Sequence, residues 1–428
     1  MIPQRQGDKK VKTKNNALRW AAAVSLCMPA LAFAQFQGFG SEGYFRVGPG
    51  NQNQPTDSRA CYALEGAGLK YRLGNECDLY AEVLLAANFK ANDIDFSFNV
   101  MPSVYNGAVG SSTTTLQQLY VEAKGFGVAP GVKFWAGKRY YRRSDVHIVD
   151  TQYIDLSGVG LGASDVAAGP GKLALAYFGS DGNDEDYPEL IDDDDNPITP
   201  LVRRGPRHGN RINFDYYELP ANTNGTLRFV GSFTQSSGND NAARNGAAFA
   251  VVHKQAKLFD KDVENSVWLQ TALGSAGLNG NFGQSDASSD ARSWRLLDSI
   301  TWQIGAVGGQ AQAMLQNDRD ANGRQTDSGT VGGRLSYAFS HHFKLVGEAG
   351  YSQKKPDGGA TQKLTKFTIA PTFSTGPGFF KRPELRIYVT RAMWNDAANQ
   401  AAGPLGVTRL GDQKTSGTSF GAQLEMWW

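Results

Sequence analysis

The chain has 428 residues, 40% hydrophobic and 20% charged, with 50 Gly and 3 Cys. An aromatic share of 11% excludes a disordered chain, and a mean hydropathy of −0.40 with no apolar run near about 18 residues excludes a helical membrane protein. Gly is nearly 12% of the chain, against about 7% in ordinary proteins; with Tyr, Phe, Trp and Asn also frequent and no helical period, this points to many strands and turns.

The first segment predicts a leader. Lys9, Lys10, Lys12, Lys14 and Arg19 make a basic head. An apolar run follows from Trp20 to Ala32, broken by Ser25 and Pro29, and Ala32-Phe33-Ala34 is a small-x-small cleavage site before Gln35. This is the three-part pattern of a secretory signal peptide, residues 1–34. The run is too short for an anchor, and Cys27 lacks the small neighbour of a lipid-attachment site. Cleavage removes six basic residues and Asp8, leaving 394 residues (35–428) with 37 basic and 40 acidic side chains, a formal −3. No broad basic surface remains to attract nucleic acid.

Cys61 and Cys77 are then the only cysteines. In an exported protein the pair reads as one disulfide, worth about 3 kcal/mol in the chain-entropy model. No His or second Cys pair lies nearby to make a zinc site.

Period-two alternation recurs along the rest of the chain. Leu69, Tyr71 and Leu73 oppose Lys70, Arg72 and Gly74. Ile212, Phe214 and Tyr216 oppose Arg211, Asn213 and Asp215, and Leu227, Phe229 and Phe233 oppose Arg228, Ser232 and Thr234. Phe367 and Ile369 oppose Lys366 and Thr368. Leu385, Ile387 and Val389 oppose Glu384, Arg386, Tyr388 and Thr390. The terminus is the cleanest case: Phe420, Ala422, Leu424, Met426 and Trp428 share one face, and Gly421, Gln423, Glu425 and Trp427 the other. Turns such as Asn222-Thr223-Asn224-Gly225 and Asp357-Gly358-Gly359 separate the strands, with long polar loops at Asp181–Pro200 and Gly274–Arg292. No stretch of useful length has a helical period.

A soluble sandwich would bury the apolar faces in strands of about five or six residues. Here the segments run nearer about ten, with charges of both signs on the polar faces. That is the pattern of a transmembrane antiparallel β-barrel, lipid outside and water inside, in the outer membrane of a Gram-negative bacterium. At roughly 20 to 25 residues per strand with its connection, the 394 residues supply about 16 to 20 strands, enough for an aqueous channel. No linker divides the barrel into domains.

Three blocks carry a resemblance. The first runs Lys70-Tyr71-Arg72-Leu73-Gly74-Asn75-Glu76-Cys77, then Tyr80-Ala81-Glu82. The second is Trp135-Ala136-Gly137-Lys138-Arg139-Tyr140-Tyr141, leading into Arg143-Ser144-Asp145-Val146-His147 and Asp150. The third is Phe420 to Trp428. Together they closely resemble the maltoporin family of sugar-specific porins, over the whole mature chain, with the loops matching poorly. The resemblance implies a homotrimer of about eighteen-stranded barrels, each with its own pore, and a third loop folded inward to narrow it. It implies passive passage of maltose, maltodextrins or related oligosaccharides along an aromatic track, with no cofactor.

The chemistry suits the solute. A sugar ring has an apolar C–H face that rests on an aromatic ring, and a rim of hydroxyls that exchange hydrogen bonds with Arg, Asp and Glu. Such sites must be weak and repeated so that the solute leaves as well as enters. Tyr44 and Arg46 match the family's first aromatic and first arginine; Arg72, Tyr80 and Glu82 match the next arginine, aromatic and carboxylate. Arg143 and Asp150 match the charged pair of the inward loop, and Trp427 the last aromatic. Phe380 matches a further, larger aromatic. By strand parity Trp427 shares the Gln423/Glu425 face and Phe380 the Glu384/Arg386 face, both toward water.

Where the family has a tyrosine at the constriction, this chain has Gln152, which is shorter and cannot stack; a wider or differently selective constriction is expected. The family's middle aromatic has no match between Phe259 and Trp268, and Tyr105 is the candidate for the aromatic lent by a neighbouring subunit. Inward Arg and Glu residues also suit a general diffusion porin with little sugar preference. His147 beside Asp145 lacks a nucleophile or metal set, so a loop anchor fits it better than catalysis. Asp192 to Asp195 lack the ligand spacing of a calcium loop and read as a solvated outer loop. With five His in all, two of them adjacent at His341-His342, no enzyme's nucleophile–His set is evident.

Overall fold

A computed structural model describes residues 34–48, 51–52, 61–64, 70–108, 111–181, 208–237, 243–283, 290–404, 406–408, 411 and 413–428. The expected leader apart from Ala34, as well as Leu69, most of the loop at 181–200 with Asp192 to Asp195, and residues 284–289 of the loop at 274–292, lie outside the described residues.

Alternating sequence becomes a closed antiparallel sheet. Eighteen strands run Gln35–Val47, Leu79–Ala91, Ile94–Ala108, Ser111–Lys124, Lys133–Arg139, Gly158–Ala168, Gly171–Asp181, His208–Asn222, Gly225–Ser237, Ala243–Gln255, Val263–Gly274, Arg292–Ile304, Val307–Arg319, Gln325–Ala338, Phe343–Pro356, Gln362–Ser374, Glu384–Trp394 and Ser416–Trp427. Each pairs with the next, and the first pairs with both the second and the last, which closes the barrel. Closure leaves no edge with unpaired backbone groups, the condition for crossing hydrocarbon with strands.

The faces are inverted relative to a soluble protein. Leu385, Ile387 and Val389 are 44%, 54% and 50% exposed, while Glu384, Arg386, Tyr388 and Thr390 between them are 2%, 1%, 3% and 0% exposed. Ile212, Phe367, Ile369 and Phe420 are likewise exposed, and Arg211, Asn213, Asp215, Lys366, Gln423 and Glu425 buried. An apolar wall looks outward and a polar one lines the bore. Two-residue connections at 92–93, 169–170, 223–224 and 305–306 cluster at one end, and the long ones at 48–78, 140–157 and 395–415 at the other. The tight turns need left-handed backbone, which Asn92, Asn224 and Gly305 supply with φ of 53°, 61° and 57°. Along the short-connection rim, Phe36 packs on Phe39 and Phe89, and Phe89 on Phe96, as an aromatic girdle.

An eighteen-stranded barrel is wide enough for an aqueous bore. Here two connections fold into it. Residues 140–157 do so as the third-loop expectation requires, around the short hairpin Ser144–Val146 and Thr151–Ile154. The first loop does so as well, and this corrects the strand expected at residues 69–74: the described residues 70–78 form no strand. Their alternation arises from packing on the inner wall. Tyr71 is 3% exposed, its hydroxyl 3.0 Å from Thr330 Oγ1, and its ring lies in a notch made by two glycines. A Cβ on Gly350 or Gly332 would stand 2.0 or 2.5 Å from that ring. Leu73 packs on Val346, Ala370 and Tyr388. Wall side chains replace a neighbouring strand: Leu73 N donates to Glu348 Oε1 at 2.9 Å, and Leu73 O accepts from Lys366 Nζ at 2.7 Å. The disulfide Cys61–Cys77 staples this segment, with Cα atoms 5.9 Å apart. One short helix, Asp396–Ala401, capped by Asn395, sits in the last long loop.

Candidate binding site in the pore

Register places the candidate residues. Along the first strand, Tyr44 stands opposite Trp427 of the last strand and opposite Glu82 of the second; Arg46 stands opposite Glu425 and Tyr80. Directly opposed residues share a face, so all six look into the bore. The Tyr44 and Tyr80 rings are 6.2 Å apart. Trp427 meets the edge of His147 at 5.6 Å, and the same imidazole is 5.6 Å from Phe380. Each strand-to-strand step along the ladder covers about 4.8 Å, and at a tilt near about 40° it changes height by roughly 3 Å. Tyr80 lies toward the long-connection end of the barrel and Phe380 in the connection at 375–383 at the short-connection end.

Phe380 requires a correction. It lies outside any strand, so strand parity with Glu384 does not apply; its contacts with His147 and, at 4.9 Å, with Phe379 set its place on the bore side. Tyr105 stands opposite Tyr80 in its own chain, in phase with buried Ser103.

Charged groups flank the rings. Arg46 grips Asp78 with two bonds, of 3.0 and 2.8 Å, and donates to Glu76 at 3.2 Å and Asp150 at 2.6 Å. Arg72, 2% exposed, donates to Glu76 at 2.7 Å, pairs with Glu425 at 2.9 Å and donates to the Tyr44 hydroxyl. Glu425 also accepts from Tyr44 at 3.0 Å, Arg382 at 2.9 Å and Arg386 at 2.6 Å. The Arg382 guanidinium lies 4.3 Å over the Trp427 ring. Asp150 holds a left-handed φ of 55° that ends the turn at 147–149. Burial alone would raise its carboxyl, but the Arg72 and Arg46 guanidiniums outweigh burial and hold it below the usual carboxylate range. Burial, then Arg72 and Arg382, push His147 well below the usual imidazole range against the pull of Glu425.

Arg143 and Asp150 find different partners. Arg143 stacks on Tyr140 at 4.1 Å, with Asp155 at 3.9 Å. Glu82 accepts from Tyr80 at 2.5 Å and Tyr140 at 3.3 Å. Gln152 sits in the inward hairpin opposite Asp145; its carbonyl accepts from Asn279 at 2.8 Å, and its Oε1 has no hydrogen-bond partner among the described residues. Sequence reasoning missed Glu76, Asp78 and Glu425 as partners of the arginines, Arg382 as the cation over Trp427, and His147 as a ring between Trp427 and Phe380. Glu76 and Asp78 flank Cys77, and Glu425 shares the face of Trp427, so proximity and parity were the available signals.

A closed barrel with a greasy outside, a charged bore and two inward loops has the plan of a channel. Residues 39–428 match the family model described as LamB porin. The chain belongs to the LamB porin family. Among solved structures, this LamB porin is similar to OccD3 (OpdP) of Pseudomonas aeruginosa, at 9% identity over 93% of this chain and 91% of that one, with a TM-score of 0.46. It is also similar to OccAB1 of Acinetobacter baumannii, at 10% identity over 92% and 96%, TM-score 0.47. A third is an anion-selective porin from Comamonas acidovorans, at 9% over 92% and 100%, TM-score 0.45. The LamB porin is an outer-membrane channel of a Gram-negative cell.

Proposed function

We propose that this LamB porin passes maltose, maltodextrins or related oligosaccharides by facilitated diffusion along Tyr80, Tyr44, Trp427 and Phe380, as a homotrimer exported with a cleaved leader of residues 1–34. The observation that carries the proposal is the Tyr44–Trp427 cross-strand pair with Tyr80 at 6.2 Å, edged by Arg46, Arg72 and Asp150. Apolar ring faces and charge-assisted hydrogen bonds then lie side by side, as the two surfaces of a sugar do. The charges around the row are mutually paired, which favours a neutral solute over an ion. No single ring holds tightly, so the solute slides between equivalent weak contacts.

Ion-current block in planar bilayers by maltodextrins tests the proposal: block should deepen with chain length from two sugar units upward and level off once the row is covered. A second reading, a general diffusion porin without strong sugar selectivity, is favoured by Gln152 at the constriction and by Arg382, which occupies one face of Trp427. No block at millimolar maltodextrin would establish that reading instead.

A further inference from the structure

Tyr140 and Tyr141 are adjacent and have opposite fates. Tyr141 is 3% exposed, wedged between Trp135 at 4.8 Å and Phe178 at 6.1 Å, and fixes the root of the inward loop to the wall. Tyr140 is half-buried, just past the strand Lys133–Arg139, its amide donating to Gln118 Oε1 at 2.8 Å. Its hydroxyl reaches the Glu82 oxygen that already accepts from Tyr80. The two phenols thus converge on one carboxylate from different elements, one from the barrel wall and one from the inward loop. The Tyr80 bond is short, at 2.5 Å, and the Tyr140 bond long, at 3.3 Å, near the limit of a useful hydrogen bond, so the ring of Tyr140 rather than its weakly held hydroxyl is what it offers a solute. Arg143, partly exposed, lies over the Tyr140 ring and holds donors beside it.

We propose that Tyr140, backed by Arg143, is a further saccharide contact that adjoins Tyr80 at Glu82 and carries the aromatic surface from the barrel wall onto the inward loop. The inference rests on the saccharide reading above and assigns the aromatic of the inward loop to Tyr140 in a chain whose constriction carries Gln152.

The test uses the full trimer in planar bilayers, with maltotriose and maltohexaose block of wild type, Tyr140→Phe and Tyr140→Ala analysed for association and dissociation rates. Tyr140→Phe keeps the ring and should bind within about twofold of wild type. Tyr140→Ala should release sugar about fivefold faster at an unchanged association rate. Heat-modifiable migration on gels checks that each barrel is folded. Wild-type binding in a folded Tyr140→Ala barrel overturns the inference. So does equal weakening by Phe and Ala, which would make the hydroxyl a prop for Glu82. An unblocked wild-type channel overturns the saccharide reading and this inference together.

Discussion

Tyr44 is the meeting point of rings and charges, so its two substitutions separate them. Tyr44→Phe removes one hydroxyl. Glu425 keeps Arg72 at 2.9 Å, Arg382 at 2.9 Å and Arg386 at 2.6 Å, so no buried carboxylate is left unpaired. The loss is about 1 kcal/mol of stability, with the track intact. Tyr44→Ala removes the ring that bridges Tyr80, 6.2 Å away, and Trp427, its cross-strand partner. A lost aromatic contact of about 1 kcal/mol weakens binding roughly fivefold. The effect should be larger for maltohexaose than for maltose, because only the longer chain spans the gap. The assay is equilibrium block of ion current by each sugar. Equal effects of Phe and Ala would show that the hydroxyl network matters and the ring does not; no effect of Ala would remove Tyr44 from the path.

If residue 152 narrows the inward loop as the family resemblance implies, Gln152→Tyr should lower single-channel conductance; conductance equal to wild type or greater would contradict that role. Gly350→Ala places a Cβ 2.0 Å from the Tyr71 ring and should displace the inward first-loop segment, at a cost of about 1–3 kcal/mol, seen as a lower thermal transition and noisier open-channel current. Asp150 has its folded pKa depressed by Arg72 and Arg46 once burial is offset, so its stabilising pairs are complete above the unfolded carboxylate value of about 3.9 and are lost as pH falls through the lower folded one. Conductance should therefore hold steady from pH 7 to about pH 5 in wild type, and Asp150→Asn should lose sugar block at every pH in that range.

The barrel was legible because each spanning strand must present one face to lipid and one to water. Residues 384–390 and 420–428 display that rule without ambiguity. Residues 69–74 carry the same alternation for another reason: Tyr71 and Leu73 pack on the inner wall while Lys366 and Glu348 satisfy the backbone. Local pattern cannot separate those two causes. Phe380 was assigned to the bore through a parity that a nine-residue connection interrupts. The charge network was out of reach, since Tyr44 and Glu425 are 381 residues apart and meet only because the last strand closes on the first. The six-residue helix at Asp396–Ala401 is too short to show a period, although Asn395 is a capping residue.

A structure of the porin soaked with maltotriose tests the central claim most directly. The account predicts sugar rings lying flat against Tyr80, Tyr44 and Trp427, with hydroxyls toward Arg46, Arg72 and Asp150. Sugar density on the wall away from these rings, or none in the bore at saturating sugar, would contradict it.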